Sequence, residues 1–248
     1  MTENYVAGVR LKALPAEGSY LRQLPVVRDL WNRGGLDFRR RVTFLVGENG
    51  SGKSTLLEAM AVCAGFNGEG GSRNVRFSTE DTVSPLWESL TLIRRAYPRD
   101  GYFLRSESFY NVATYLDELD RTPWCGGALN SYGGVSLHRQ SHGESFLSLM
   151  ENRFGGQGLY LLDEPEAALS PARQLELLAL VRQLERKGSQ FLIATHSPIL
   201  MTYPRAEVLE LRDEGIRSVD YRQTEHYQLT RRFLEAPERM LRYLFAEE

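Results

Sequence analysis

The sequence predicts an α/β protein with a mostly parallel central sheet and an inserted helical lobe. Apolar runs of strand length, rich in β-branched and aromatic residues, occur at 42–46, 159–163 and 191–195. Helical patterns that begin at turn or capping residues follow these runs. Strands that alternate with helices are typical of parallel sheets covered by helices on both faces, and the three runs are therefore expected to be neighbouring buried strands.

The elements before residue 100 are expected to be a strand, a buried strand and two helices. Val6 to Leu11 alternates apolar and polar residues, and the run at 42–46 follows it. The segment after this run has helical spacing up to Gly65. A Gly-, Ser- and Asn-rich loop is expected at 66–80, and Ser84-Pro85 is expected to open a helix that continues to Tyr97.

Two more helices in the middle of the chain predict the helical lobe. One is expected from Glu107 to Leu119, and the other, amphipathic, follows Ser145. These patterns predict a single domain with a core lobe at about 1–67 and 156–248 and a helical lobe at about 68–155. In the core lobe, one helix is expected from Ser170-Pro171 to Gly188 and another after Pro237, packed on the core.

Composition excludes several classes of protein. The chain has 248 residues, of which 42% are hydrophobic and 25% charged, as in an ordinary globular domain. It has no stretch of the roughly 20 apolar residues that a membrane-spanning helix needs, and its start lacks the order of a signal peptide. We therefore expect a cytoplasmic protein that is not itself embedded in a membrane. Cys63 and Cys125 lack metal-ligand spacing, so neither a zinc site nor a disulfide framework is indicated.

The net charge of −2 gives no bulk positive field for nucleic acid or acidic lipid. Local basic runs occur at 39–41, 94–95 and 231–232, and they are interpreted either as solvated faces or as phosphate-binding surfaces. The segment Glu225-His226-Tyr227 is interpreted as surface or packing.

A phosphate-binding loop lies between the second strand and the following helix. Residues 47–54 match G-x-x-x-x-G-K-[ST] in the strand, loop and helix context that this motif requires. Its glycines allow successive backbone N–H groups to face one phosphate at a helix N-terminus. Lys53 is expected to bridge the β- and γ-phosphates, and Ser54 to coordinate Mg²⁺. The candidate nucleotide-binding residues are Gly47, Asn49, Gly50, Ser51, Gly52, Lys53, Ser54 and Thr55.

Two adjacent carboxylates end the strand at 159–163. Because successive side chains of a strand point to opposite faces, Asp163 and Glu164 are expected to have different roles. Asp163 is placed to hold Mg²⁺, and Glu164 to polarise an attacking water or accept its proton. His196 follows the next buried strand and should emerge at the same sheet edge, either as a structural hydrogen-bonding residue or as a sensor of the γ-phosphate.

The segments GENGSGKST, SHGES, LYLLDEPEAALS and ATHS occur in the order and approximate spacing of an ABC-type ATPase, which the chain resembles over nearly its whole length. Within the AAA class it is similar to stand-alone ATPases of the SMC, RecF and OLD types, without a long coiled-coil arm. The resemblance implies that Glu164 is the catalytic glutamate, His196 the switch histidine and 167–170 the D-loop.

The segment from Ser141 to Ser145 resembles the signature of that family, which implies that Ser141, Gly143 and Glu144 bind the γ-phosphate held by an opposite subunit. The same segment is also a capping box, and the two interpretations are compatible. The family's Q-loop glutamine is not evident, and Glu107 is expected to replace it near the metal.

The expected function is ATP hydrolysis with Mg²⁺ as cofactor, coupled to ATP-driven head-to-tail dimerisation and to action on a protein or nucleic-acid partner. Two alternatives stay open. One is the nucleotide-binding subunit of an ABC transporter, and the other is a DNA-repair or anti-phage effector ATPase that binds nucleic acid.

Overall fold

The structure is a computed structural model, and it describes residues 4–73, 83–121, 134, 136–139 and 142–245. Its central element is a six-stranded sheet. In spatial order the strands are β5 (Asp100–Arg105), β6 (Gly158–Asp163), β7 (Gln190–Ala194), β3 (Val42–Val46), β8 (Glu207–Arg212) and β9 (Gly215–Val219). The first five are parallel, and β9 returns antiparallel to β8. The predicted α/β fold with a mostly parallel sheet is thus confirmed.

A second, three-stranded antiparallel sheet lies at the N-terminal part of the chain. Its strands, in spatial order, are β2 (Leu36–Asp37), β1 (Val6–Leu11) and β4 (Leu90–Arg94). The helices are α1 (Pro25–Arg33), α2 (Lys53–Ala64), α3 (Leu86–Ser89), α4 (Phe109–Asp120), α5 (His142–Arg153), α6 (Pro171–Arg186), α7 (Glu225–Glu235) and α8 (Pro237–Leu244). Among the described residues, no helix has the length and apolar composition needed to cross a bilayer.

The strands of the central sheet are apolar on both faces, and each face has its own core. Phe44, Tyr160 and Phe191 point to the face covered by α4, α5 and α6. Leu45 and Leu161 alternate with them and point to the face covered by α1, α2 and β1. Two-sided burial explains why these strands are continuous apolar runs in the sequence.

The predicted helix from Ser84 to Tyr97 is wrong. Only one helical turn, α3, forms there, and the chain then becomes β4, which pairs with β1. The apolar residues of this segment fit both a helix and a strand. The strand forms because residues 90–94 pair with the edge of β1 in an antiparallel ladder. The next strand, β5, belongs to the central sheet. The division into core and helical lobes stays a prediction.

The C-terminal region contains two helices where one was expected. α8 begins at Pro237 as predicted, but none of its residues is buried, so the expected packing of this helix on the core is wrong. α7 precedes it and was not expected. Thr224, the N-cap of α7, is fully buried, and this residue fixes the start of α7 against the domain.

Candidate functional site

The predicted phosphate loop joins β3 to the N-terminus of α2. Gly47, Gly50 and Gly52 have φ values of 147°, 81° and 91°, which favour glycine. At Gly47 a Cβ would also lie 2.4 Å from the Leu211 carbonyl oxygen. The glycines therefore allow a turn in which the first N–H groups of the 12-residue helix α2 face outward from the sheet edge.

Lys53 is held inside this loop. Its side chain is 3% exposed, and Nζ donates hydrogen bonds to the carbonyl oxygens of Gly47 at 2.8 Å and Glu48 at 3.0 Å. Burial lowers the pKa of Lys53, while the charges of Glu164 and Asp163 raise it. The loop carbonyls therefore hold the ammonium group beside the loop.

The loop opens into a cleft of about 150 Å³. The lining residues are Leu24, Asn49, Gly50, Gly52, Lys53, Ser54, Thr55 and Glu164. A neighbouring cleft of about 420 Å³ includes Gly47 and Ser51. The Ser51 hydroxyl is buried without a hydrogen-bond partner among the described residues.

Asp163 lies at the carboxyl end of β6 and is 4% exposed. Burial raises its pKa to about 6, although the Ser54 hydroxyl and the positive charge of Arg105 lower it. Within the described part of the chain, Oδ1 is buried without a hydrogen bond of normal geometry. An unsatisfied buried carboxylate oxygen beside a serine hydroxyl is a donor set that suits Mg²⁺.

Glu164 follows in an unusual backbone conformation, with φ 48° and ψ 51°. Its N–H donates to the Ala194 carbonyl at 2.9 Å, and its carbonyl oxygen accepts a hydrogen bond from the Ser106 hydroxyl at 2.7 Å. A left-handed conformation is uncommon for a residue with a Cβ, and the surrounding contacts hold it. Glu164 lines the cleft beside Lys53.

His196 emerges from the neighbouring strand β7, at the same edge. Its Nε2 lies 3.5 Å from Glu164 Oε1, and its backbone N–H donates to Glu166 Oε1 at 2.5 Å. Burial lowers the pKa of His196, and the positive charge of Lys53 lowers it further. The expected convergence of the loop, the acidic pair and the histidine at one sheet edge is confirmed.

Two residues, Arg105 and His226, make contacts at this site that were not expected from the sequence. Arg105, at the end of β5, reaches Glu58 Oε2 at 2.7 Å and Asp163 Oδ2 at 3.5 Å. His226 of α7 lies with Nε2 3.0 Å from His196 Nδ1. This contact is one form of the packing that was expected for the segment around His226. Nothing in the spacing indicated these pairs, because they join residues that are 47 and 30 positions apart.

The signature-like residues belong to another part of the molecule. Ser141 lies outside the described residues. Gly143 and Glu144 are in the first turn of α5, and Glu144 lies 3.5 Å from Arg173 of α6. A Cβ at Gly143 would lie 2.9 Å from the Ala168 carbonyl, so α5 packs closely on the D-loop-like segment. The residues that line the phosphate cleft come from other elements.

Glu107 forms an ion pair with Arg105, at 3.1 Å. Its side chain is 79% exposed, so its role as a metal ligand stays a prediction. Among the described residues, no group of three or more His, Cys, Asp or Glu side chains could hold a metal ion on its own. A Mg²⁺ ion would therefore need ligands from nucleotide and water besides Ser54 and Asp163.

Two family models match parts of the chain. Residues 136–202 match the model described as AAA domain, putative AbiEii toxin, Type IV TA system, and residues 31–96 match a second AAA domain model. The two matches contain, respectively, the acidic pair with His196 and the phosphate loop.

Curated relatives are ATP-binding proteins. The chain is 27% identical over 191 residues to the galactose/methyl galactoside import ATP-binding protein MglA of Sodalis glossinidius, an alignment that covers 68% of this chain and 35% of MglA. It is 26% identical over 197 residues to the hemin import ATP-binding protein HmuV of Idiomarina loihiensis, covering 71% and 73%. The chain thus spans about a third of the length of MglA.

Solved structures with a similar fold include cbiO1 of Clostridium perfringens, part of the ABC transporter complex cbiONQ. It has 16% sequence identity and a TM-score of 0.48, and the alignment covers 95% of this chain and 97% of that one. An Smc head bound to the C-terminal winged-helix domain of ScpA has 16% identity and a TM-score of 0.47, with 87% and 98% covered.

Proposed function

We propose that the chain is an ABC-type ATPase, which binds MgATP on the loop 47–54 and hydrolyses it in a site that a second copy completes. The observation that carries this proposal is the convergence of Lys53, Asp163, Glu164 and His196 at one edge of the central sheet. In particular, Glu164 shares the phosphate cleft with Lys53 and lies 3.5 Å from His196. The Glu164 carboxylate and the Lys53 ammonium thereby line the same cleft, and the His196 ring lies next to that carboxylate.

Each residue has a role that its surroundings support. Lys53, with the backbone N–H groups of the loop, binds the β- and γ-phosphates. Glu164 is partly exposed, faces the cleft and accepts the proton of the attacking water. His196 contacts the γ-phosphate. Ser54 and Asp163 hold Mg²⁺, which when bound neutralises charge on the phosphates.

The second half of the site comes from another copy of the chain. Gly143 and Glu144 lie in the first turn of a 12-residue helix, whose positive end favours an anion. They do not line their own phosphate cleft. In a head-to-tail pair, this helix end would approach the γ-phosphate that the partner holds, and hydrolysis would then open the pair.

The test combines ATP hydrolysis over a range of protein concentrations with molar mass from light scattering, with and without MgATP. Wild-type specific activity should rise with concentration. Glu164→Gln should lose at least about 100-fold in kcat and be trapped as an ATP-bound dimer, because the base is removed while nucleotide binding is kept. Lys53→Ala should lose nucleotide binding and stay monomeric.

Glu176→Gln is the matched control, because Glu176 is a partly exposed glutamate of α6 that forms an ion pair with Arg173 on the same helix. It should behave as wild type in both measurements. Hydrolysis that is independent of protein concentration, together with a monomeric Glu164→Gln in MgATP, would contradict the shared site.

A transporter subunit is a second candidate, because the relatives MglA and HmuV are described as import ATP-binding proteins. This candidate predicts that the chain co-purifies with a polytopic membrane protein from its native host, and that the complex has higher ATPase activity than the isolated chain. Purification of the tagged chain without such a protein, at full activity, would reject it.

A nucleic-acid-binding ATPase is a third candidate, and it rests on a cleft of about 980 Å³ at the opposite edge of the sheet. Six arginines line it: Arg10, Arg39, Arg40, Arg41, Arg95 and Arg205. Among the residues that the structure describes, two carboxylates share the lining, those of Asp37 and Glu185. Arg40 and Arg205 are exposed and form no ion pair with any residue that the structure describes. Such a concentration of guanidinium groups suits a phosphate backbone.

This candidate predicts that the protein binds a fluorescein-labelled DNA duplex with an affinity that falls linearly with salt on a logarithmic scale. Arg40→Gln with Arg205→Gln should reduce that slope by about 2, or one per lost phosphate contact. Arg231→Gln is the control, since Arg231 pairs with Glu235 on α7. No binding at low ionic strength, with or without ATP, would reject a role in nucleic-acid binding.

A further inference from the structure

A second histidine lies directly behind His196. His226 is in the first turn of α7, and its side chain is 19% exposed. Its Nε2 is 3.0 Å from His196 Nδ1, and the two rings are tilted by 61° with centroids 5.0 Å apart. This geometry is that of a hydrogen bond between two imidazoles.

In a hydrogen bond between these two imidazoles one ring nitrogen donates and the other accepts, so the pair has two possible arrangements. If His196 donates from Nδ1, its Nε2 carries a lone pair and can only accept a hydrogen bond. If His226 donates from Nε2, the proton of His196 is on its own Nε2, which can then donate. Only the second arrangement offers a hydrogen-bond donor to a phosphate oxygen.

Two carboxylates favour the second arrangement. Glu48 Oε1 lies 3.6 Å from His226 Nε2, and Glu164 Oε1 lies 3.5 Å from His196 Nε2. A carboxylate near a ring nitrogen favours the tautomer that has hydrogen on that nitrogen. His196 Nε2 is also buried without a hydrogen-bond partner in the described part of the chain. A proton on this nitrogen is therefore available for an incoming acceptor.

The main chain holds both rings in place. The backbone N–H of His196 is bonded to Glu166, and Thr224, two residues before His226, is fully buried. The Thr224 hydroxyl donates to the Tyr221 carbonyl at 2.7 Å and lies 3.2 Å from Met201 Sδ, in the segment that follows His196. The start of α7 is thus attached to the same loop that carries the switch histidine.

We propose that His226 is a positioning residue, which keeps His196 in the tautomer with hydrogen on Nε2 and so supplies the γ-phosphate with a donor. This inference rests on the proposed function, in which His196 contacts that phosphate. It assigns α7 a role in the chemistry, because any partner that displaces the start of α7 would also release His196 from its oriented tautomer.

The test is ¹⁵N NMR of the histidine side chains in the nucleotide-free protein, with steady-state kinetics on the same samples. His196 of the wild type should show protonated Nε2 and unprotonated Nδ1. In His226→Phe the preference should be lost, and kcat should fall about 10- to 100-fold with KM for ATP within about twofold, as for other residues that orient a functional histidine. His226→Gln, whose amide N–H can donate, should recover most of kcat.

Gln228→Phe is the control, because Gln228 is exposed on the same helix and its side-chain amide donates a hydrogen bond to the Arg222 carbonyl. It should match wild type in both readouts. A wild-type His196 protonated on Nδ1 would overturn the inference, and that measurement needs no variant to fold. An unchanged tautomer and kcat in His226→Phe would overturn it as well. If the tautomer results are as expected but wild type hydrolyses no ATP, the proposed function fails while the orientation of His196 by His226 stands.

Discussion

At the scale of single residues, Arg105 connects the site to the core. Its guanidinium lies 2.7 Å from Glu58, 3.1 Å from Glu107 and 3.5 Å from Asp163. Glu58 is 5% exposed, and burial raises its pKa although Arg105 lowers it. Asp163 needs its negative charge to bind a cation, and Arg105 helps to keep it. One side chain therefore supports both a buried carboxylate of α2 and the predicted metal ligand.

Arg105→Met should destabilise the protein by about 3–5 kcal/mol at pH 7, because it leaves Glu58 buried without its counter-charge. The raised pKa of Glu58 would rise further. A carboxylate with a raised folded-state pKa favours the folded state below the unfolded value, and this stabilisation is lost as pH increases. The deficit relative to wild type should therefore be larger at pH 7 than at pH 5, as measured by urea denaturation.

Arg173→Met removes an arginine from partly exposed contacts with Glu144 and Glu176 and should cost less than about 1 kcal/mol, with little change between these pH values. The double variant Arg105→Met with Glu58→Gln should recover part of the lost stability, because the unpaired charge is then absent. A deficit in Arg105→Met that is the same at pH 5 and pH 7 would contradict this account.

At the scale of elements, Asp100 fastens the end of α5 to the sheet. It starts β5, and its carboxylate accepts hydrogen bonds from Arg153 at 2.8 Å, Gly155 N–H at 2.9 Å and the Tyr160 hydroxyl at 2.7 Å. Burial alone would raise the pKa of Asp100, but these hydrogen bonds outweigh burial and lower it. α5 carries the signature-like residues at its other end, so this attachment orients them.

Asp100→Asn should reduce the free energy of unfolding by about 2 kcal/mol at pH 7, because hydrogen bonds to a charged acceptor are lost or weakened. The lowered pKa of Asp100 contributes stability above the unfolded value of about 3.9, and this contribution disappears as pH falls through the folded value. The difference between variant and wild type should therefore shrink below about pH 4. The exposed substitution Asp213→Asn should show neither effect.

At the scale of the whole molecule, the two C-terminal helices have different relations to the domain. α7 is held at its start by Thr224 and touches the site through His226. α8 has no buried residue, and the side chains of Tyr243, Leu244 and Phe245 are largely exposed. Removal of α8 should therefore leave both the core and the site intact, whereas removal of α7 should not.

A chain that ends after Glu235 should keep its free energy of unfolding within about 1 kcal/mol of wild type and keep its kcat. A chain that ends after Thr224 should lose kcat about as much as His226→Phe does, because it lacks the same contact to His196. Urea denaturation and ATP hydrolysis of the two truncated proteins make the comparison. Equal activity of the two would show that α7 has no part in catalysis.

The sequence predicts those structural features that are encoded in consecutive residues, and it fails where pairing with a distant segment determines the structure. The phosphate loop is a run of consecutive residues in which glycines adopt positive φ values. The strands buried on both faces are continuous apolar runs. The sequence therefore predicts the positions of both within a few residues. The strand at 90–94 was not predicted, because its apolar pattern fits a helix as well as a strand and only the edge of β1 selects the strand.

The sequence alone predicts the parallel α/β core, the candidate phosphate loop and the acidic pair beside it, since each is encoded in a short stretch of chain. Only the tertiary structure decided which distant side chains complete the site. Arg105 meets Glu58 across 47 positions, and His226 meets His196 across 30. Such pairs follow from how helices and strands pack together, and packing is a property of the whole chain that no local spacing records.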